Sequence, residues 1–254
     1  EPIEFWDIEI DNRDGSINYT NLEIQSFLRW VLGFHKSTSG KNIERLKKDR
    51  NAIFVKTKDK RGIFGDNIVF HSVISDGKIE VVRDEEIDED GLKLSFQLPK
   101  GETKRVTFML GQTNTKSEAR NLIRRYEIGE ISVEKKFKEL QNYWDKMTNE
   151  FNVNTPDSDF NIMLNRSLPY QAYAVHCLAR SGFYQSGGAY GFRDQLQTAM
   201  NLLFAGKEYF SFARERIIDC AAHQFPEGDV THWWHPHNNL GLRSRVSDNL
   251  LWLP

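Results

Sequence analysis

Two stretches of this chain combine residue types suited to a polyhydroxylated ligand such as a sugar. The first is RSGFYQSGGAYGFR (180–193), which runs directly into Asp194-Gln195. Its glycines let backbone approach a ligand closely, because no Cβ stands in the way. Tyr184, Tyr190 and Phe192 add flat apolar faces, and Arg193-Asp194 sets a fixed cation beside a carboxylate at a helix start. The second stretch is HQFPEGDVTHWWHPH (223–237). Trp233-Trp234 offers indole faces against which the C–H surface of a pyranose can be buried. Glu227, Asp229, His232 and His235 can supply the directional hydrogen bonds that fix sugar hydroxyls. Arg243 and Arg245 follow closely, and a guanidinium presents paired donors that suit an oxyanion such as phosphate.

Other chemistry is open to the same residues. His232, His235, His237 and Asp229 are all competent zinc ligands, although their spacing matches no metalloprotease signature and a tryptophan pair interrupts them. Trp233-Trp234 can equally be core. Glu227 and Asp229 could act as general acid and base of an inverting glycosidase, which needs two carboxyl groups across the scissile bond. Spacing does not select them over Asp194 or Asp248.

The elements that position these stretches change character along the chain. Residues 1–111 carry the period-2 pattern of strands: Trp6, Ile8 and Ile10 alternate with Asp7 and Glu9. Ala52–Lys56, Asn67–Ile74 and Lys78–Val82 are further strands, the last two joined by Ser75-Asp76-Gly77. Leu92, Leu94, Phe96 and Leu98, then Pro99–Glu102, then Val106, Phe108 and Leu110, form the clearest hairpin pattern. These features predict an antiparallel sandwich, with the acidic run Asp84–Asp90 as a solvated loop. Residues 112–154 predict two linker helices. Ala119, Leu122, Ile123 and Tyr126 share one face of the first; Ser132 caps the second, whose stripe of Val133, Phe137, Leu140, Trp144 and Met147 is expected to pack as core.

From residue 155 the period is helical. Asp157 or Ser158 starts a helix with Ile162, Leu164, Leu168, Tyr170, Tyr173, Ala174, Cys177 and Leu178, expected to be buried. Asp194–Phe204 and Lys207–Gln224 are further helices, the latter with Phe210, Ala213, Ile217, Cys220 and Ala221 inward. Phe225–Gly241 is a long loop, and Asp248 opens a fourth helix. Helices joined alternately by tight turns and long polar-aromatic loops suggest a helical-hairpin barrel with the long loops at one end.

Composition narrows the function classes. The 254 residues carry a net charge of −2 with basic residues scattered, which points to neither nucleic acid nor a membrane surface as partner. No apolar run approaches the roughly 20 residues of a membrane span, and no signal-peptide pattern opens the chain. Two cysteines, Cys177 and Cys220, fit a reduced cytoplasmic protein in which both are small buried hydrophobes. Both ends of the chain read as cut from something longer.

The runs RSGFYQSGGAYGFRDQLQ (180–197), HQFPEGDVTHWWHP (223–236) and GLRSRVSDNLLWLP (241–254) closely resemble glycoside hydrolase family 94, and specifically its β-1,2-glucan branch. The resemblance implies an α+β multidomain architecture: an antiparallel β-sandwich (1–111), linker helices (112–154), and the first helices of an (α/α)6 catalytic barrel (155–254). It implies inverting phosphorolysis of β-linked gluco-oligosaccharides, with inorganic phosphate as co-substrate, no further cofactor, and a dimer as the intact parent. A single carboxylic acid protonates the glycosidic oxygen while phosphate attacks the anomeric carbon from the other face, so no general base is needed. Arg193 and Asp194 would bind the sugar being cleaved; Gln185, Tyr190, His232, Trp233, Trp234 and Arg243 would be wall or binding residues. The family's general acid is expected beyond Pro254. This chain departs from the family pattern at Thr198 and Asn249, where the family carries aspartates. The resemblance is equally that of the phosphorylase-like region of cyclic β-1,2-glucan synthases, and a catalytically incompetent carbohydrate-binding module is a third reading.

Overall fold

The computed structural model describes residues 3–30, 32, 43–46, 49, 51–58, 67–86, 89–149, 152–171, 173–174, 189–204, 206–236 and 239–253. They fall into two compact units, Glu1–Lys136 and Phe137–Pro254.

The first unit contains strands β1 (Ile3–Asp11), β2 (Tyr19–Phe27), β3 (Ile43–Arg45), β4 (Ala52–Thr57), β5 (Ile68–Ile74), β6 (Lys78–Asp84), β7 (Glu89–Leu98) and β8 (Thr103–Thr113). They build two antiparallel sheets, β1-β8-β5-β4-β3 and β2-β7-β6. One core lies between the sheets, where Leu92, Leu94, Phe96 and Leu98 of β7 join Val106 and Phe108 of β8, Ile53, Val55 and Val73. The other face of the larger sheet is covered by helix α1 (Lys116–Glu127), whose Ala119, Leu122, Ile123 and Tyr126 pack on Ala52, Phe54, Ile68, Phe70 and Met109. The middle strands are thus buried on both faces. That is why β4 reads AIFV and β5 reads IVFHSVI instead of alternating cleanly.

The two strands on either side of Pro99–Glu102 are present, but they do not pair with each other. β7 pairs with β2 and β6, while β8 pairs with β1 and β5, so the turn crosses from one sheet to the other. Apolar alternation reports which face of a strand is buried, and both strands face the same core from opposite sides. It carries no information about which neighbour supplies the hydrogen bonds. Ser75–Gly77 is likewise an inter-sheet connection rather than a hairpin turn. Buried Asn12 ties the first crossing down: its Nδ2 donates to the carbonyls of Ile17 (3.0 Å), Leu98 (3.3 Å) and Pro99 (2.9 Å). Its own backbone N–H donates to Glu102 O, and its carbonyl accepts from Gly101 N.

The acidic run is also not a solvated loop throughout. Glu89 and Asp90 lie in β7 and are buried, paired with Arg45 (2.9 Å) and Arg83 (3.5 Å). Burial of a carboxylate is tolerated where a guanidinium compensates it. His71 is fully buried in the inter-sheet core between the rings of Trp6 and Phe108, with Nε2 3.1 Å from Ser26 Oγ on the opposite sheet. Burial pushes its pKa down to about 4.

Helix α1 starts as its sequence dictates: Thr115 Oγ1 accepts from Glu118 N, and the Glu118 carboxylate reaches back to Asn114 N. Ser132 Oγ accepts from Lys135 N at the start of α2 (Val133–Asn149). The expected core stripe of α2 is not buried along its length. Met147 is enclosed, whereas Phe137 and Leu140 are more than half exposed.

The second unit holds α3 (Ser158–Ile162), capped by Asp157 Oδ1, a π-helical turn (Met163–Ser167), α4 (Leu168–Gln171), α5 (Phe192–Leu202) and α6 (Phe210–Ala222). Ile162, Leu168 and Tyr170 are exposed, against the expectation of a buried helix, and Cys177 and Leu178 lie outside the described residues. Phe210 and Ile217 of α6 are also exposed and Ala221 lies at the surface, while Ala213 and Cys220 point inward. A helical stripe shows which face is apolar; it does not show that a partner covers it. Tyr173, Trp144, Met147, Ala199, Leu202, Tyr209, Ala213 and Phe212 form one cluster. Phe192, Leu196, Cys220, Val230 and Trp234 form a second, joined by Tyr190, Trp252 and Leu253.

Two outcomes are expected from the first unit. Asn12→Ala leaves buried carbonyls without donors and should cost about 2 kcal/mol in chemical denaturation. His71 binds a proton near pH 6.5 when unfolded but only near pH 4 when folded. Stability should therefore be full above pH 6.5 and fall by about 3 kcal/mol as pH drops through 4, as read by denaturant titration. In His71→Leu that slope should flatten.

Candidate functional site

Both chemistry-bearing stretches meet on one small sheet. Phe225–Gly241, read from sequence as loop, contains β10 (Val230–Trp234) and leads into β11 (Gly241–Ser244), which together with β9 (Tyr190–Gly191) form a sheet in the order β11-β10-β9. Trp233 pairs with Gly191 and Trp234 with Tyr190; Thr231 faces Arg243 and Trp234 faces Gly241, with a bulge between Thr231 and Trp233. Val230, Thr231 and two aromatic residues suit an extended strand, and a Gly228 at φ 89° closes the turn that leads in. Asn239 takes φ 54° in the turn between β10 and β11, a conformation that asparagine tolerates.

β9 runs straight into α5, so Arg193 and Asp194 sit in that helix's first turn, beside the edge of β10. A Cβ on Gly191 would stand 2.5 Å from Asp194 Oδ2, so glycine is what lets this carboxylate fold back against the strand. Arg193 Nη1 donates to Asp248 Oδ2 at 2.7 Å, and Asp194 Oδ1 lies 3.9 Å from its Nε. The Asp248 carboxylate, and secondarily Asp194, raise the Arg193 pKa further above its ordinary value. All three side chains stay about half to two-thirds covered, open enough to meet a ligand.

The two tryptophans have different fates. Trp234 is fully buried, its indole stacked on His223 (centroids 3.9 Å apart) and set edge-on to Tyr190. It is core, one of the two readings left open by the sequence. Trp233 is only partly covered and meets His235 edge to face at 5.5 Å, leaving part of its indole open. Tyr190 lies above Arg216, whose guanidinium carbon is 5.1 Å from the ring centroid. His232 Nδ1 is 2.9 Å from Nδ2 of buried Asn249. Gln185 lies outside the described residues.

Arg243 is not a free anion receptor. Its Nε and Nη2 clamp both oxygens of Asp229 at 2.6 Å, Nη2 also reaches Glu227 at 2.9 Å, and the guanidinium stacks 3.9 Å from the Phe225 ring centroid. Arg243 holds the Asp229 carboxyl below its usual range. Asp248 precedes a 3-10 turn, Asn249–Leu251, and its carboxylate accepts from Arg193. Thr198 is buried in α5, away from any described hydrogen-bond partner of its hydroxyl. Burial pushes the Cys220 thiol up to about 12, so it packs as a hydrophobe. Among the described residues no group of three or more His, Cys, Asp and Glu is placed to hold a metal ion. No helix among them is long and apolar enough to cross a membrane.

Three residues with a role here were missed or underused in the sequence reading. Asp248 stood out as a candidate carboxylate and Asn249 as a departure from the family pattern, neither as a partner of Arg193 or His232, and Arg216 did not stand out at all. Their contacts span at least 17 positions of sequence, and no local pattern signals them.

With this geometry in place, the likenesses to known proteins can be set beside it. Residues 143–254 match the Glycosyl hydrolase 94 superfamily, catalytic domain. The chain is 37% identical over 177 residues to the cyclic beta-(1,2)-glucan synthase NdvB of Rhizobium meliloti (strain 1021), covering 68% of this chain and 6% of that protein. It is 27% identical over 148 residues to the N,N'-diacetylchitobiose phosphorylase of Vibrio proteolyticus, covering 57% of this chain and 18% of that one. A solved structure assigned as a kojibiose phosphorylase from human microbiome superposes over 92% of this chain and 36% of that one, at 13% identity and a TM-score of 0.46. The chain thus spans a small part of the curated relatives it matches.

The split between the tryptophans is open to test. Trp234→Ala should cost about 3–5 kcal/mol in denaturant unfolding, in line with emptying a large buried ring. Trp233→Ala should cost less than about 1 kcal/mol and show its effect in ligand affinity instead.

Proposed function

We propose that this chain, whose residues 143–254 belong to the glycosyl hydrolase 94 superfamily, is the sugar-holding part of an inverting glycoside phosphorylase acting on β-linked gluco-oligosaccharides with inorganic phosphate. The observation that carries this reading is the β9–β10 pairing, which sets Arg193-Asp194 at a helix start beside the partly open Trp233. An indole face covers one side of a pyranose. The adjacent carboxylate and guanidinium can accept from and donate to its hydroxyls.

The chemistry assigns the remaining tasks. A proton must reach the glycosidic oxygen as the bond breaks, while phosphate attacks the anomeric carbon from the opposite face. Both oxygens of Asp229 accept from Arg243, which also binds Glu227, so neither carboxyl is set apart for that proton. Asp248 is committed to Arg193. We assign the general acid to a carboxyl group outside these 254 residues, and to Asp194 the task of holding sugar hydroxyls. A second reading, the phosphorylase-like region of a cyclic β-1,2-glucan synthase, is favoured by the 37% identity to such a synthase. The first reading carries with it a cytoplasmic protein and a dimer as the intact parent; the second implies a membrane-bound parent.

The deciding assay is release of α-glucose 1-phosphate from β-1,2-linked oligoglucans, and separately from cellobiose, with and without phosphate. It should be run on the 254-residue chain and on the longest product of its gene. Phosphate-dependent product from the long form supports phosphorolysis, and the better substrate fixes the linkage; glucan binding without turnover in either form replaces the phosphorylase with a binding module. In an active long form, Asp194→Asn should reduce turnover at least about a hundredfold, because the sugar loses its alignment. Its melting temperature should barely move, since a first-turn carboxylate contributes only about 0.3–1 kcal/mol to its helix.

A further inference from the structure

The closing segment of the second unit is locked onto the small sheet at two adjacent points. Asp248 meets Arg193 at 2.7 Å, and Asn249 Nδ2 meets His232 Nδ1 at 2.9 Å. Trp252 and Leu253 anchor the same segment in the cluster of Phe192, Leu196, Val230 and Trp234. Asn249 N also donates to Val246 O, so the backbone around the amide is held as well. Asn249 is 2% exposed, whereas His232 is only partly covered. One ring nitrogen therefore faces a fixed, buried partner.

A neutral imidazole has one donor nitrogen and one acceptor nitrogen, and the partner of either one decides the tautomer. An amide N–H directed at Nδ1 requires a lone pair there, which leaves the proton on Nε2. We infer that Asn249 is a positioning residue that holds His232 as the neutral Nε2–H tautomer, making the ring a hydrogen-bond donor through Nε2. This inference deepens the proposed sugar site, on which its ligand class rests: the acceptor for Nε2–H would be a sugar hydroxyl or phosphate oxygen. The choice of asparagine over aspartate has a physical consequence. An aspartate at this depth would be a buried anion next to Nδ1, favourable only with a proton on that nitrogen. Asn249→Asp is thus expected to move a proton onto Nδ1.

The test reads the ring directly in the ligand-free chain, by long-range ¹H–¹⁵N correlation spectra at neutral pH. Wild type should show a protonated Nε2 and an unprotonated Nδ1 for His232, the signal being assigned by its loss in His232→Gln. Asn249→Asp should show a protonated Nδ1, and Asn249→Leu a mixture of tautomers in exchange. A wild-type ring protonated on Nδ1, or one already exchanging between tautomers, overturns the inference, with no variant required to fold. A purely structural role for Asn249 would change stability in these variants while leaving the His232 tautomer as in wild type, which overturns the inference. Titration with sophorose is the separate arm: a shift of the His232 Nε2 signal supports the sugar as acceptor. Absence of any sophorose-induced shift would remove this sugar as the Nε2–H acceptor while leaving the tautomer result to stand or fall alone.

Discussion

The ladder between Tyr190–Gly191 and Trp233–Trp234 is the constraint on which the second unit depends. A one-residue slip in that pairing would exchange the faces of β10, turning Trp234 out of the core and Trp233 into it. Burial of Trp234 against His223, Tyr190 and the α5–α6 cluster therefore sets the register, and the register sets where Trp233 stands relative to Arg193 and Asp194. A buried ring and a partly open ring alternate along one strand. The first holds the second in place.

The charges around this sheet are arranged in fixed pairs. Arg193 with Asp248, and Arg243 with Asp229 and Glu227, each join segments far apart in sequence. These pairs are partly exposed, so their contribution to stability is modest. Their geometric effect is larger, because a bidentate guanidinium fixes the direction as well as the distance of its partner. Arg243 is the clearer case: bound by two carboxylates and stacked on Phe225, it shapes the turn before β10 rather than receiving a ligand.

The first unit follows a different logic. Its larger sheet is covered on one side by the smaller sheet and on the other by α1, so its central strands must be apolar on both faces. The chain passes between sheets at Pro99–Glu102 and at Ser75–Gly77, and Asn12 supplies donors to carbonyls that the first crossing leaves without a ladder. His71 is the exception within that core, a titratable ring kept neutral by burial.

What the sequence by itself determined was local. Strand periodicity located β1, β4, β5, β7 and β8; the Ser132 and Asp157 caps marked helix starts; and the residue types at 190–194 and 232–234 raised the expectation of a sugar-type site. These follow from backbone sterics, capping and side-chain chemistry within a few residues. Only the tertiary structure decided that β7 and β8 belong to different sheets, that 223–244 is a hairpin, that Trp234 is core while Trp233 is not, and that Arg243 is already engaged. It likewise left Phe137, Leu140, Ile162 and Leu168 exposed despite helical stripes that suggested burial. Periodicity states which face of an element is apolar. Which partner meets that face, and which cation a carboxylate finds, is set by contacts between residues tens of positions apart.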